Sequence, residues 1–259
     1  MTTQLAVIIL AAGKGTRMNN TEKAKVMFEI LGIPMIGRVV EMALELNPQK
    51  VIVVVGYQRE MVEEYLTQFN HQLETVIQDP QLGTGQATSL AETELINFNG
   101  NILVLAGDVP LLLSSSILQL INYHEQNKSA ATILTANLDN PFGYGRIIRD
   151  QNGKVNSIVE EKDATEEEKK INEINSGIYI FQKDKLFDAL KKIKPHNSQK
   201  ELYLTDVIAI FKNQNLQVSA IQVKDSMEIL GINTVDQLID VEKLLIEKNE
   251  KSSWQKFKK

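Results

Sequence analysis

Residues 6–18, AVIILAAGKGTRM, place a short apolar strand directly before a basic, glycine-rich turn. A strand this apolar has to be covered on both faces, which is typical of parallel sheets with helices on each side. The turn holds Lys14 and Arg17 next to Gly13 and Gly15, so backbone amides and positive charge can converge on an anion. The stretch predicts an α/β domain that binds its ligand where the strand ends.

Further short apolar runs repeat the strand pattern, at 50–55, 74–78, 101–107 and 130–136. We predict that each is a buried parallel strand. Stretches with apolar residues at helical spacing lie between them, at 34–46, 59–69 and 84–98, and Pro34 suits a first helical position. In such a sheet, one ligand-binding rim should form from the loops after residues 10, 55, 78 and 107.

The pattern changes after residue 140. Two alternating runs flank Asn152-Gly153, which indicates an antiparallel hairpin. The fold class is therefore predicted as α/β: a Rossmann-like, mixed but mainly parallel sheet with helices on both faces and a smaller antiparallel lobe. A helix is expected over 235–249, and the polar tail 250–259 is expected to fray.

Composition excludes several classes of function. The 259 residues carry a net charge of -5, so neither a broad nucleic-acid surface nor an anionic-membrane surface is expected. The absence of cysteine excludes disulfides, thiolate catalysis and Cys-based metal sites. The absence also suits a reducing cytoplasm. The first residues have no basic segment and only a short apolar run, which predicts neither a signal peptide nor a membrane span.

The glycine turn matches neither of the two familiar phosphate loops. Met18 stands where a dinucleotide fingerprint needs its third glycine and where a P-loop needs a glycine before Lys. Lys14, Arg17 and Lys25 can still place positive charge near an anion, although such a turn on its own is more often structural than functional.

Four polar residues leave two interpretations open. Asp108 follows a predicted strand and suits Mg²⁺, but it could equally be a helix cap. Asn233 could likewise cap the last helix. Gln78 offers a donor and an acceptor to a base, beside a glycine turn in which Thr84 could be an N-cap. Glu160 could simply belong to the solvated charge run that follows it.

Taken together, the motifs resemble the sugar-phosphate nucleotidyltransferases, and within them the uridyltransferase domain of bacterial N-acetylglucosamine-1-phosphate uridyltransferases. Besides LAAGKGTRM and Lys25, the matching motifs are QLGTGQA (81–87), GDVPLL (107–112), GYGRI (143–147), VEEKDAT (159–165), EINSGIY (173–179), ELYLTD (201–206) and GINT (231–234). They follow the family's order over residues 5 to about 250.

The resemblance implies specific residue roles. It makes Arg17 and Lys25 catalytic, and Asp108 and Asn233 the ligands of Mg²⁺. The implied nucleotide-binding residues are Leu10, Ala11, Ala12, Gly13, Gly15, Gln78, Gly83 and Thr84. The implied sugar-binding residues are Gly107, Gly145, Glu160, Asn175 and Thr205. No histidine is needed as a general base, because the attacking sugar phosphate is already an anion.

The implied reaction transfers UMP from UTP to N-acetylglucosamine-1-phosphate. The nucleotidyltransferase domain would span 1–233, with UTP bound by about 1–136 and the sugar by about 137–233. Residues 234–259 would form a helix and polar tail, and the absence of hexapeptide repeats predicts no acetyltransferase domain. The alternatives are another sugar, such as glucose-1-phosphate or galactose-1-phosphate, and a non-catalytic nucleotide-sugar sensor. The oligomeric state stays open.

Overall fold

The structure is a computed structural model that describes residues 4–18 and 22–256. Its strands are β1 (Leu5–Leu10), β2 (Glu29–Ile30), β3 (Ile33–Pro34), β4 (Lys50–Val55), β5 (Glu74–Ile77), β6 (Asn101–Ala106), β7 (Ala131–Asn137), β8 (Arg146–Arg149), β9 (Val155–Val159), β10 (Glu173–Gln182) and β11 (Val218–Gln222). Its helices are α1 (Met35–Glu45), α2 (Arg59–Leu66), α3 (Thr84–Leu90), α4 (Ser114–Gln126), α5 (Lys183–Leu190), α6 (Asp206–Asn213) and α7 (Val235–Lys256).

Nine of these strands form one mixed sheet, with the main order β11-β7-β10-β6-β1-β4-β5. β1 runs parallel to β4 and β6, β4 runs parallel to β5, and β7 runs parallel to β11. β10 lies between β6 and β7 and runs antiparallel to both. The mixed, mainly parallel sheet that the sequence predicted is confirmed.

The alternating side chains of β1 separate two apolar layers. Ile8 belongs to the layer that contains Phe211 of α6, whereas Ile9 belongs to the layer that contains Val39 of α1 and Ile117 of α4. All five side chains are essentially inaccessible to solvent. Both faces of the sheet are therefore covered by helices, which fixes β1 as a rigid support for the loop that follows it.

The hairpin around Asn152-Gly153 is also confirmed, because β8 and β9 pair as antiparallel strands. It is continuous with the main sheet, since Arg146 of β8 pairs with Ile174 of β10. The antiparallel lobe thus begins at the strand that lies next to β6, and this brings the second half of the chain to the rim of the parallel strands.

Several helices and strands differ from the prediction in their burial or their length. β5 is not buried: it is an edge strand with one neighbour, and Glu74, Thr75 and Ile77 are exposed. The helix predicted over 84–98 ends at Leu90, and that over 59–69 ends at Leu66. Pro34 precedes α1 rather than opening it.

Helix α7 is longer than the predicted 235–249. It continues to Lys256, because residues 250–256 contain no glycine or proline to end it. The rest of the predicted fraying tail, 257–259, lies outside the described residues. Nowhere within 4–18 and 22–256 does a helix combine the length and apolar character needed to cross a membrane.

Candidate active site

The loops that follow β1, β4, β5 and β6 are tied together at one edge of the sheet, as predicted. The N–H of Ala11 donates to the Val54 carbonyl, and that of Gly107 donates to the Leu10 carbonyl, both at 2.9 Å. The N–H of Gln78 donates to the last carbonyl of β4 at 2.7 Å. The rim is therefore a connected backbone surface, which positions the side chains that project from it.

The glycine turn makes room for Lys25. Gly15 has a φ of 61°, in the left-handed region, and a Cβ there would lie 2.5 Å from Lys25 Cβ. Among the described atoms, a Cβ at Gly13 would meet nothing within 4 Å, so packing does not require glycine at that position. A short 3-10 turn, Thr16–Met18, then presents Arg17 at the surface.

Four side chains from distant parts of the sequence meet beside this turn, and we refer to Arg17, Lys25, Asp108 and Asn233 as the polar cluster. The Lys25 ammonium donates to the Asp108 carboxylate and, at 2.7 Å, to Asn233 Oδ1. The Arg17 guanidinium donates to the same Asn233 oxygen at 2.8 Å. Lys25 is 9% exposed, so the cluster extends from the protein interior to the surface.

Asn233 is not the cap of helix α7. That role belongs to Thr234, whose hydroxyl accepts the N–H of Gln237 at 3.2 Å while Gln237 Oε1 accepts the N–H of Thr234 at 3.1 Å. This reciprocal pair is a capping box. The Asn233 amide instead donates to the Gly231 carbonyl at 3.2 Å, which turns its oxygen toward Lys25 and Arg17.

Asp108 is not a helix cap either, because α4 begins at Ser114 after Leu113. Its backbone carbonyl accepts the N–H of Ile232 at 2.9 Å, which joins the loop after β6 to the loop before α7. Its carboxylate faces Lys25. The structure thus brings the two sequence-predicted metal ligands to one point.

This donor set fits Mg²⁺. A carboxylate oxygen of Asp108 and the amide oxygen of Asn233 both accept hydrogen bonds from the Lys25 ammonium, so a cation at that point is held from both sides. Mg²⁺ commonly takes only one or two protein ligands when phosphates supply others. Within the described residues, no group of three or more histidine and acidic side chains offers a fuller metal site.

Gln78 is buried in the loop after β5, and Gln86, a residue with no role predicted from the sequence, holds it in place. Its side-chain amide donates to the Gly83 carbonyl at 2.9 Å and to Gln86 Oε1 at 2.8 Å. Gln86 Oε1 also accepts the N–H of Leu82 at 3.1 Å. Gln86 lies within the QLGTGQA motif, which is the signal that could have identified it.

The glycine turn at 83–85 packs against the segment that contains Thr205. A Cβ at Gly83 would lie 2.6 Å from the Leu202 carbonyl, and the N–H of Gly85 donates to that carbonyl at 2.7 Å. Thr84 is not the N-cap of α3, because Gly83 precedes the first helical residue; the Thr84 hydroxyl accepts the N–H of Leu204 at 3.0 Å. The two halves of the chain meet here.

The residues predicted to hold a sugar also lie together. The N–H of Asn175 donates to the Gly145 carbonyl at 2.8 Å, and a Cβ at Gly145 would lie 3.2 Å from Glu160 Oε2. Thr205 and Glu160 line the same pocket. Burial raises the pKa of Glu160 above its usual value, and the nearby Thr205 side chain acts in the opposite direction. Glu160 is thus distinct from the exposed charges that follow it.

Strand β10 brings this group close to the end of β6, and so to the polar cluster. β10 is irregular between Asn175 and Tyr179, and Gly177 there has a φ of 78°. A Cβ at Gly177 would lie 3.9 Å from that of Ala106, the last residue of β6. Gly107 and Asp108 follow immediately, so the predicted sugar group and the predicted metal group share one rim.

Comparison with known proteins gives a consistent result. Residues 6–248 match the family described as nucleotidyl transferase. The chain is 47% identical over 238 residues to the bifunctional protein GlmU of Streptococcus mutans, a match that covers 92% of this chain and 51% of that protein. It is 49% identical over 226 residues to the bifunctional protein GlmU of Streptococcus gordonii, covering 87% and 48%. The chain therefore spans about half the length of these relatives.

A solved structure shares the fold. The crystal structure of a UDP-glucose pyrophosphorylase complexed with UDP-glucose aligns with a TM-score of 0.76, covering 95% of this chain and 99% of that one. The two sequences are 21% identical, so this likeness supports the architecture alone.

Proposed function

Since the chain belongs to the nucleotidyl transferase family, we propose that it transfers UMP from UTP to N-acetylglucosamine-1-phosphate, in the cytoplasm and for synthesis of a cell-envelope precursor. The polar cluster of Arg17, Lys25, Asp108 and Asn233 carries this proposal. Two cations beside a glycine turn suit a triphosphate, and two oxygen donors suit the Mg²⁺ that accompanies it.

The proposed reaction is an in-line displacement. An oxygen of the sugar-1-phosphate attacks the α-phosphorus of UTP, and a new phosphorus–oxygen bond forms there. The bond between the α-phosphorus and its bridging oxygen to the β-phosphorus breaks, and pyrophosphate leaves with that electron pair. The nucleophile is already an anion, so positioning and charge neutralisation suffice and no general base is required.

Arg17 and Lys25 divide the phosphate charge between them. Arg17 is exposed at the mouth of the cluster and presents a planar fork, which suits the β- and γ-phosphates that leave as pyrophosphate. Lys25 is nearly buried and acts as a point charge, which suits the α-phosphate where the new bond forms. Positive charge placed there in advance stabilises the transition state.

Asp108 and Asn233 would hold the magnesium ion through their side-chain oxygens. When bound, that ion supplies positive charge to the reacting phosphates. The Lys25 ammonium is the cation that these two oxygens hold in the structure, so it has to move toward the nucleotide before both oxygens can serve a metal.

The uridine end is assigned to the rim around Leu10, Ala11, Ala12, Gln78 and the 83–85 turn. The N–H of Ala11 and the carbonyl of Ala12 are already bonded within the protein. Contacts to a base would therefore use the carbonyl of Ala11 and the N–H of Ala12. Both amide N–H groups of Gln78 are likewise bonded, to Gly83 and Gln86, so Gln78 would contribute its side-chain oxygen rather than the donor and acceptor that the sequence suggested.

The sugar is assigned to Gly107, Gly145, Glu160, Asn175 and Thr205. Gly145 contacts Asn175 and Glu160, and Glu160 lines a common pocket with Thr205, whose segment packs against the 83–85 turn. Gly107 follows the end of β6, which β10 approaches at Gly177. A site built from such polar side chains discriminates against an analogue that leaves one of them unpaired. N-acetylglucosamine-1-phosphate is favoured by the 47–49% identity to proteins named bifunctional protein GlmU, together with the family motifs between residues 5 and about 250.

The test is a panel of nucleoside triphosphates and sugar-1-phosphates assayed for pyrophosphate release with and without Mg²⁺. We expect turnover with UTP and N-acetylglucosamine-1-phosphate, and at least about tenfold lower kcat/KM with glucose-1-phosphate or galactose-1-phosphate. Equal use of these sugars would contradict the assignment of the sugar. Binding of UTP with no pyrophosphate release from any pair would identify a sensor and contradict the proposed activity.

A further inference from the structure

Arg146 is a buried charge next to the predicted sugar residues, and the proposed reaction gives it no role. Its side chain is 2% exposed. It pairs with Glu161 at 2.7 Å and donates to the backbone carbonyl of Tyr144. Burying a guanidinium is costly unless it is paired and hydrogen-bonded, so this arrangement requires both partners to stay in place.

Arg146 and Glu161 both form hydrogen bonds to the backbone of the loop 141–145. Arg146 holds the carbonyl of Tyr144, while the Glu161 carboxylate accepts the N–H of Gly143 at 3.2 Å. Two proposed sugar residues are their direct neighbours in sequence, since Gly145 precedes Arg146 and Glu160 precedes Glu161. The ion pair therefore sets the position of both.

The side chain of Tyr144 extends from the same loop toward the polar cluster. Its hydroxyl accepts the N–H of Gly231 at 3.3 Å, and the carbonyl of Gly231 accepts the Asn233 amide at 3.2 Å. Burial is the main influence that raises the pKa of Tyr144; the Gly231 bond opposes it, while the Asp108 charge adds to it. Tyr144 thus reaches the loop that orients Asn233.

From these contacts we infer that Tyr144, Arg146 and Glu161 form a loop clamp, which fixes the sugar-binding loop in register with the proposed metal ligands. The inference rests on the proposed function and adds three positioning residues to it. They act through Gly145, Glu160 and Asn233 rather than on the reacting atoms. Loss of the Arg146–Glu161 pair should therefore weaken use of the sugar-1-phosphate far more than binding of UTP. Loss of the Tyr144 hydroxyl should in addition raise the Mg²⁺ concentration that turnover requires.

The variants Tyr144→Phe and Glu161→Gln test the clamp, because each keeps the shape of its side chain. We expect each to raise KM for N-acetylglucosamine-1-phosphate about five- to tenfold, the effect of losing one or two oriented hydrogen bonds. At saturating Mg²⁺, KM for UTP should change less than about twofold. Arg146→Lys, which keeps the charge and loses the fork, should do the same. Arg149→Lys is the matched control: Arg149 lies on the same strand and pairs with Glu173 at 2.6 Å.

The double variant Tyr144→Phe/Glu161→Gln shows whether the residues of the clamp act as one unit or contribute independently. Residues that act as one unit give non-additive effects, so the double variant should be no worse than the worse single variant. Multiplied effects, or equal increases in KM for UTP and for the sugar, would overturn the clamp. An inactive wild-type protein would instead contradict the proposed function. Thermal unfolding of every variant shows whether it is folded, and the two shape-conserving variants decide the question if Arg146→Lys is not.

Discussion

Lys25 donates a hydrogen bond from its ammonium to Asn233 Oδ1 at 2.7 Å, although the two residues are 208 positions apart. The same ammonium contacts the Asp108 carboxylate. A lysine thus stands at the point toward which the two proposed metal ligands are directed. Because like charges repel at such short range, Lys25 and a divalent cation compete for that point.

We therefore expect Lys25→Gln to bind Mn²⁺, a spectroscopic substitute for Mg²⁺, about tenfold more tightly than the wild type when nucleotide is absent. Removal of the competing charge is the physical reason, and tenfold corresponds to roughly 1.4 kcal/mol. Electron paramagnetic resonance of free Mn²⁺ measures it. Lys50→Gln, which removes an equal charge from an exposed pair with Glu74, is the control and should bind as the wild type does. Unchanged or weaker binding by Lys25→Gln would contradict the competition.

Asp108→Asn should lower kcat at limiting Mg²⁺ at least about a hundredfold, because the only carboxylate of the polar cluster then becomes neutral. The fold should survive, since this carboxylate faces the rim and its backbone contact with Ile232 is kept. Kinetics at several Mg²⁺ concentrations, together with thermal unfolding, measure both effects. Near-normal turnover of the folded variant would remove Asp108 from the metal site.

Arg17→Lys should reduce kcat/KM for UTP about a hundredfold, because a lysine keeps the charge but loses the planar fork that a phosphate can accept. Arg59→Lys, at an exposed pair with Glu60, is the control and should have no effect. A loss of less than about threefold at Arg17 would show that it does not hold the transferring phosphates.

Glu160→Gln should raise KM for N-acetylglucosamine-1-phosphate about five- to 150-fold and leave KM for UTP nearly unchanged. Asn175→Ala should behave in the same way, although it also removes the partner of the Tyr179 hydroxyl, which lies 2.6 Å from the Asn175 amide. Steady-state kinetics with each substrate varied in turn measure the difference. Equal defects for the two substrates would show that these residues do not bind the sugar.

The difference in stability between the wild type and the Glu160→Gln variant should depend on pH, and the pKa of Glu160 sets its direction. Because the folded protein raises the pKa of Glu160, the fold loses stability as the pH rises from the ordinary glutamate pKa to the raised one, and the loss is complete above the raised pKa. Glu160→Gln should therefore melt at a higher temperature than the wild type at pH 8. The difference should shrink as the pH falls from the raised pKa toward the ordinary value for glutamate, and it should change no further below that value. A difference that is constant across this range would contradict the assigned cause.

The parallel core was predictable because its signals are local. Ile8 and its neighbours form a run too apolar for a strand with a solvent face, and the runs at 50–55 and 101–107 repeat it. The pattern of apolar residues within a strand does not show which strands lie beside it, however, so the sequence does not predict that β5 is an exposed edge strand. The place of β10 between β6 and β7 depends on pairing between strands far apart in sequence.

The candidate site, like the fold, could be predicted from the sequence only in part. Asp108 and Asn233 could be proposed from motifs, but only the structure shows that Thr234 caps helix α7 and leaves the Asn233 amide for the polar cluster. Tyr144 and Arg146 lie in the GYGRI motif (143–147), but the motif alone predicts no role for them. Their importance comes from contacts with Glu161 and Gly231, and sequence spacing does not reveal such contacts.

The most direct test of the proposed chemistry follows the oxygen atoms. N-acetylglucosamine-1-phosphate labelled with oxygen-18 in its phosphate is incubated with UTP, Mg²⁺ and the protein, and phosphorus NMR of the nucleotide product is recorded. Attack by the sugar phosphate on the α-phosphorus places a labelled oxygen between the two phosphorus atoms, so both should show an isotope shift, with unlabelled pyrophosphate released in equal amount. A product with no isotope shift at the uridine phosphorus, or release of inorganic phosphate in place of pyrophosphate, would contradict the account.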